Sequence, residues 1–401
     1  MRALCFCILL TLFLAPATLS AQPQRTTKYT LPPDKLQKAV DYAHARNWLY
    51  FTSQIYGVAV LVAILALGVA AKFRDWAEAA SRRRIIQALI FVPLLFLTID
   101  LLNLPLAIYS QHLERMFQQS IQSWPSWFWD WEKAEFLTIL LATFIAFILY
   151  GVIRRSPTRC WLYFWLATLP VIFTVAFVEP FLIEPLFYKF EPLSKQHPEL
   201  VNELEKVVSH GGLAIPPDRM FEMMASEKVT SLNAYVTGFG ASKRVVVWDT
   251  TIQKLTTPEV LSVFGHEMGH YVLGHVRNSI ILGSICSLLL IYAGYRIARW
   301  RIRDLTDWAS LPALLLIASL IGFFSEPVAN GYSRWLEHQA DVYGLEIIRG
   351  IVPDPNEVTA HTFQVLGEEG LDEPDPNPFI EFWTYTHPSI SERVAFSSTY
   401  K

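Results

Sequence analysis

The sequence predicts a mainly α membrane protein, with six or seven transmembrane helices and a polar α+β lobe. Three observations predict it. Of the 401 residues, 52% are hydrophobic and only 17% charged, against roughly 25% charged in soluble domains. Six apolar stretches, near 48 to 71, 85 to 110, 136 to 153, 160 to 185, 279 to 298 and 309 to 329, are about long enough for the ~20 helical residues that cross hydrocarbon. Two stretches, 186 to 278 and 330 to 401, are too polar to span and together make one lobe interrupted by the last two helices.

The N-terminal residues 1 to 21 combine Arg2, an apolar run from Ala3 to Ala15 and the small residues Ala17, Ser20 and Ala21. That pattern predicts a secretory signal peptide or, if retained, a further membrane helix. A membrane domain then covers 22 to 185, and a second domain covers 186 to 401, including the helices at 279 to 298 and 309 to 329. The segment GVAVLVAILALGVAA (57 to 71) has no polar face at helical spacing, so it does not read as a helix on a soluble core.

A net charge of -3 excludes the basic excess expected of nucleic-acid binding. The four cysteines, Cys5, Cys7, Cys160 and Cys286, all lie in apolar segments. No disulfide framework, disulfide-linked partner or Cys-ligated zinc finger is therefore expected in the polar parts. Lys and Arg concentrate in three loops, 72 to 84, 154 to 159 and 296 to 303, which alternation puts on one side. Those loops hold twelve such residues, against seven in 22 to 47 and 111 to 135. The positive-inside rule then places the polar lobe outside the cytoplasm.

The chemistry lies in His266-Glu267-Met-Gly-His270. Residues four apart on a helix sit about 40° apart, so His266 and His270 project together and can ligate one Zn2+. Glu267, beside that pair, can take a proton from an activated water. A catalytic zinc needs a third protein ligand. His275 lies nine residues after His266, about 180° round a continuous helix, and misses the metzincin spacing by one residue. It reads as a polar-face residue or a support for a ligand. Glu337 is the better third ligand, with Asp341 on the same helical face able to accept the second ring N-H of a ligand histidine.

HEMGH with a downstream ExxxD resembles the gluzincin arrangement. SRWLEHQADVYG, set among membrane helices, resembles the type I CAAX prenyl proteases, and the resemblance runs from about residue 35 to the C-terminus. LPLAIYS (104 to 110), FLIEPLFYKFEPLS (181 to 194), NAYVTGFGASKRVVVWDT (233 to 250) and THPSISER (386 to 393) agree with it. It implies a bacterial-type membrane zinc metalloendopeptidase with one zinc per chain, a zincin-like lobe and helices enclosing a water-filled chamber. Its substrate would be a peptide or protein, and its surroundings membrane lipid. The resemblance places Asn233, Ala234 and Tyr235 on an edge strand that pairs with substrate, the first half of a hairpin with 244 to 248. His387 and Arg393 would donate to the oxyanion or to substrate carbonyls. Asp100, Asn103, Glu179 and Glu184, in or beside apolar segments, fit a hydrated chamber or helix ends at the interface.

The family's eukaryotic members face the cytosol, whereas the charge count and signal-like start here point outward. The expected location is the bacterial cytoplasmic membrane with an extracytoplasmic lobe. CAAX-type processing competes with cleavage of misfolded membrane proteins. From another class comes a noncatalytic transporter or receptor with a structural HEMGH helix.

Overall fold

The structure, a computed structural model, describes residues 29–238 and 243–401. The export signal or first membrane helix expected over 1 to 21 lies outside the described residues. Along the chain come α1 (Pro33–Ala66), α2 (Val69–Ala80), α3 (Arg84–Met116), α4 (Trp124–Arg155), α5 (Cys160–Phe187), β1 (Phe190–Pro192), α6 (Pro198–His210), β2 (Met220–Met223), β3 (Ala234–Thr237), β4 (Arg244–Trp248), α7 (Thr257–Val272), α8 (His275–Arg301), α9 (Leu311–Ile347), α10 (Pro355–Gly370), α11 (Pro378–Thr384) and α12 (Ile390–Thr399). Short helical turns lie between them.

Six of the described helices, α1, α3, α4, α5, α8 and α9, are long and apolar enough to cross a membrane, and each overlaps one of the six stretches read from the sequence. The first stretch, 48 to 71, runs past the end of α1 at Ala66, through the turn at Gly68 and into α2. α1, α3, α4 and the start of α9, together with α2, share a core that holds Phe91, Leu95, Tyr150 and Trp308, all fully buried. The polar tips in this core are partnered: the Tyr150 hydroxyl lies 2.8 Å from Ser310 Oγ, and Trp308 Nε1 donates to Gln87 Oε1 at 3.1 Å. At 37 residues α9 is far longer than the ~20 that hydrocarbon requires. Its second half therefore continues into the lobe and brings Glu337 and Asp341 with it.

The lobe contains a four-stranded sheet in the order β1-β2-β4-β3, with β2 parallel to β4 and the outer pairs antiparallel. Ala234 faces Val247 and Tyr235 faces Val246, so the expected hairpin forms, with β3 at the edge. Val245, Val246 and Val247 are fully buried, as a central β-branched strand should be. The sheet and α6 pack on α7 through Leu204, Val207, Val247, Phe264 and Met268. The N-terminal approach is also fixed: Tyr29 is buried and its hydroxyl donates to the Asp372 carbonyl at 2.9 Å.

Two cavities, of about 690 and 590 Å³, lie between the membrane helices and the lobe and share the charged residues Arg46, Glu114 and Asp372. Asp100, Asn103, Glu179 and Glu184 do not line them. Asn103 instead donates to the Ile99 carbonyl at 2.8 Å. Glu184 accepts from Tyr235 Oη and Arg244 Nη2, both at 2.7 Å, and so pins the end of α5 to the sheet.

Candidate active site

The helix that carries HEMGH is framed by local chemistry. Thr256 and Glu259 form a reciprocal capping box at the start of α7, next to Pro258 in its first turn. At the other end Gly274 adopts φ 69°, a left-handed conformation that suits glycine, and α8 starts at His275. Between these ends the i, i+4 spacing brings His266 Nε2 and His270 Nε2 to 3.1 Å.

Opposite lies α9, and glycines let the two backbones meet. A Cβ on Gly265 would lie 2.9 Å from the Gly344 carbonyl oxygen, and one on Gly344 would lie 2.7 Å from the His266 nitrogen. This close crossing delivers Glu337 and Asp341 to the histidines. Glu337 Oε2 lies 3.2 Å from His266 Nε2, and Oε1 lies 3.5 Å from His270 Nε2. Asp341 Oδ1 accepts from His266 Nδ1 at 2.7 Å. Candidate ligand atoms of His266, His270 and Glu337 all fall within 4.8 Å of one another.

The donor set fits a cation. With His266 Nδ1 engaged by Asp341, the Nε2 lone pair is left facing His270 Nε2 and the Glu337 carboxylate. Glu337 Oε2 is buried without a hydrogen bond, although two ring nitrogens lie within 3.3 Å of it. Two histidine nitrogens and a carboxylate are what a catalytic zinc takes from a protein. Burial alone would lower the His266 pKa, but the Asp341 and Glu337 carboxylates outweigh it and hold it up at about 9, so the field at this position favours a cation.

Glu267 Oε1 sits 4.0 Å from His266 Nε2, outside the ligand set. Burial pushes its carboxyl above the ordinary range, with His266 and His270 pulling the other way. A carboxylate so raised is a better proton acceptor near neutrality. It opens into a cavity of about 280 Å³ that also contacts Asn233, His266, Asp341, His387 and Arg393. Ala234 does not reach this cavity with its side chain, which is buried in the core, and the Tyr235 hydroxyl is held by Glu184. Only the main chain of these two residues is left for a partner, on the unpaired side of the edge strand.

His387 Nε2 lies 3.3 Å from Glu337 Oε2, with the Thr386 hydroxyl 2.9 Å from its Nδ1. Burial lowers its pKa, partly against Glu337, which favours the neutral ring with a donor at Nε2. Arg393 lines the same cavity and also faces Asp341. It is buried, and two of its three nitrogens are committed to Asp341, Nη2 at 2.5 Å and Nε at 3.0 Å. The pairing with Asp341 was not legible in the sequence, because a motif shows that a cation is present, not which carboxylate it faces.

Of the two readings open for His275, a polar-face residue or a support for a ligand, the contacts fit the second. His275 Nδ1 lies 3.1 Å from His270 Nδ1, and its Nε2 lies 3.1 Å from Gln339 Oε1. The sequence placed His275 on the far side of a continuous helix; the break at Gly274 folds it back onto the ligand instead. A glycine just before that histidine was the available signal.

Known proteins resemble the chain in sequence and in fold. The profile described as Peptidase family M48 matches residues 194–400, and one described as CAAX prenyl protease N-terminal, five membrane helices, matches 17–189. The uncharacterized metalloprotease YhfN of Bacillus subtilis (strain 168) is 34% identical over 91% of this chain and 85% of its own length. A CAAX prenyl protease 1 homolog of Arabidopsis thaliana is 25% identical over 92% of this chain and 89% of its own. Among solved structures, the crystal structure of S. mikatae Ste24p covers 92% of this chain and 91% of that one, with a TM-score of 0.77 and 24% identity, a likeness of fold.

Proposed function

Because the chain belongs to peptidase family M48, we propose that His266, His270 and Glu337 hold one Zn2+ per chain and that Glu267 is the general base of a membrane-embedded endopeptidase. The convergence of two histidines and an orphaned carboxylate, with Glu267 beside but outside them, carries this reading. Zinc bound there supplies Lewis acidity to the scissile carbonyl and acidifies a water. Glu267 takes the proton of that water and returns it to the leaving amine. His387 donates from Nε2 to the developing oxyanion. Asp341 fixes the tautomer of His266, and Arg393 holds Asp341 in place.

Peptide substrate adds to the edge of β3 by main-chain bonds at Ala234 and Tyr235, which gives affinity without strict sequence demand. Asn233, in the cavity with Glu267, meets the residues around the cleaved bond. Family membership sets aside a transporter or receptor. The test is hydrolysis of unstructured peptides by the detergent-purified protein: activity lost to a chelator and regained with zinc supports the reading, and activity indifferent to chelation contradicts it.

For location, the reading is a bacterial cytoplasmic membrane with the lobe outside the cytoplasm, motivated by the arginine-rich loops at the other end of the helices. On that side prenylated cytosolic proteins are out of reach. The check is thiol labelling of intact cells, in a chain lacking the native four cysteines. Ser209→Cys, exposed in the lobe, should react with an impermeant reagent, and Arg82→Cys, exposed beyond α2, should not. The opposite pattern would give the lobe to the cytoplasm and restore a CAAX-like C-terminus as substrate.

A further inference from the structure

Away from the zinc site, α4, α5, α8 and α9 leave a crevice of about 510 Å³ between them, lined almost wholly by apolar side chains. On α4 it runs from Ile153 to Ala142, twelve residues or about 16 Å of helix. On α9 it runs from Leu311 to Gly322, the same length. That is close to half of the ~30 Å hydrocarbon thickness, the depth of one leaflet. Glycines leave the space open. A Cβ on Gly322 would meet nothing within 4 Å, and one on Gly294 would meet only Ile321 and Ile317, at 3.5 and 3.8 Å.

The mouth of the crevice is basic. Its end is marked by Ile153, Cys160 and Ala298, and next to these in the sequence stand Arg155 at the end of α4, Arg159 before α5 and Arg299 in the last turn of α8, which do not themselves line the crevice. The Tyr295 hydroxyl bonds the carbonyls of Pro157 and Thr158, both at 3.2 Å, and so joins the end of α8 to the α4-α5 loop. Arg299, one turn further on, therefore shares that mouth. All three arginines are exposed, and none has an ion pair among the described residues. Arg154, by contrast, donates to the Thr306 carbonyl and stacks on Trp308.

We propose that this crevice binds an anionic phospholipid, one acyl chain lying between Ile153 and Gly322 and the phosphate held by Arg155, Arg159 and Arg299. A peptide would find no partners for its backbone along such a wall, and in hydrocarbon those groups must be satisfied. A hydrocarbon chain needs none. The charge at the mouth selects an anionic head, each arginine near the surface strengthening binding about fivefold. The lipid would brace four membrane helices, two of which, α8 and α9, lead directly to the zinc site.

The test uses full-length protein, stripped of lipid in detergent, with dioleoyl phosphatidylglycerol or phosphatidylcholine added and bound lipid counted by native mass spectrometry. Wild type should hold one phosphatidylglycerol per chain far more tightly than phosphatidylcholine. Arg155→Gln, Arg159→Gln and Arg299→Gln combined should weaken phosphatidylglycerol about 100-fold and leave phosphatidylcholine unchanged. Gly322→Phe, which fills the crevice, should abolish the one-to-one binding while the protein keeps its zinc. Equal binding of the two lipids, or undiminished phosphatidylglycerol binding by the triple variant or by Gly322→Phe, overturns the proposal. Displacement by farnesol with no dependence on the arginines would make the crevice a tail site and overturn it as well.

Discussion

The Nδ1 atoms of His270 and His275 lie 3.1 Å apart across the helix break at Gly274. With His275 Nε2–H donating to Gln339 Oε1, His275 Nδ1 is left as an acceptor, so His270 donates from Nδ1 and presents its Nε2 lone pair to the metal position. The two histidine ligands are thus held differently, His266 by the Asp341 carboxylate and His270 by a neutral imidazole. His275→Ala should lower zinc affinity about 10- to 100-fold in a chelator competition, as losing the partner of a ligand histidine does. Gln339→Ala should follow in the same direction. Unchanged affinity in both would make the contact incidental.

Glu267→Gln should leave zinc content and thermal unfolding close to wild type and lower peptide turnover by about 10²- to 10⁴-fold, the usual share of a general base. The reading of parallel kinetic and metal measurements separates catalysis from folding. Turnover within a few fold of wild type would remove Glu267 from the mechanism.

Gly344 stands where α9 meets the backbone of His266, and there is no room for a methyl group. Gly344→Ala should cost about 1–3 kcal/mol of stability by overpacking. Because it moves α9 with Glu337 on it, zinc affinity should fall too. A stable variant with unaltered affinity would show that the crossing can relax without disturbing the ligands.

Glu259 gives a pH dependence. Burial alone would raise its carboxyl, but hydrogen bonds from Thr256 and the neighbouring His361 hold it below the ordinary range. A lowered folded-state pKa stabilises the native chain above the unfolded value of about 4.3, and this contribution is lost as pH falls below it. Wild type should therefore be more stable than Glu259→Gln at pH 6, by about 1 kcal/mol or less, and the gap should close toward pH 3. A gap that widens on acidification would contradict the assigned role of the capping box.

How much of this was legible in the sequence follows the range of the signals. His266 with His270, and Glu337 with Asp341, are one helical turn apart, so the period of a single helix reveals each pair. The six membrane helices and the β3-β4 hairpin are likewise local patterns. Arg393 on Asp341 and Glu184 on Arg244 are separated by 52 and 60 residues, and no local pattern states which cation meets which carboxylate. Gly265 and Gly344 contribute by lacking side chains, which a reading of functional groups passes over. His275 was read as a polar-face residue or a support for a ligand, and which of the two applies depends on the helix break at Gly274, which the sequence reading took to be continuous.

The most direct measurement is zinc content, with the zinc K-edge absorption spectrum, of wild type, Glu267→Gln and Glu337→Gln purified in the same detergent. The account predicts about one zinc per chain in wild type and Glu267→Gln, in a shell of two histidine nitrogens and oxygen, and a loss of most zinc in Glu337→Gln. Full zinc occupancy with an unchanged spectrum in Glu337→Gln would contradict it.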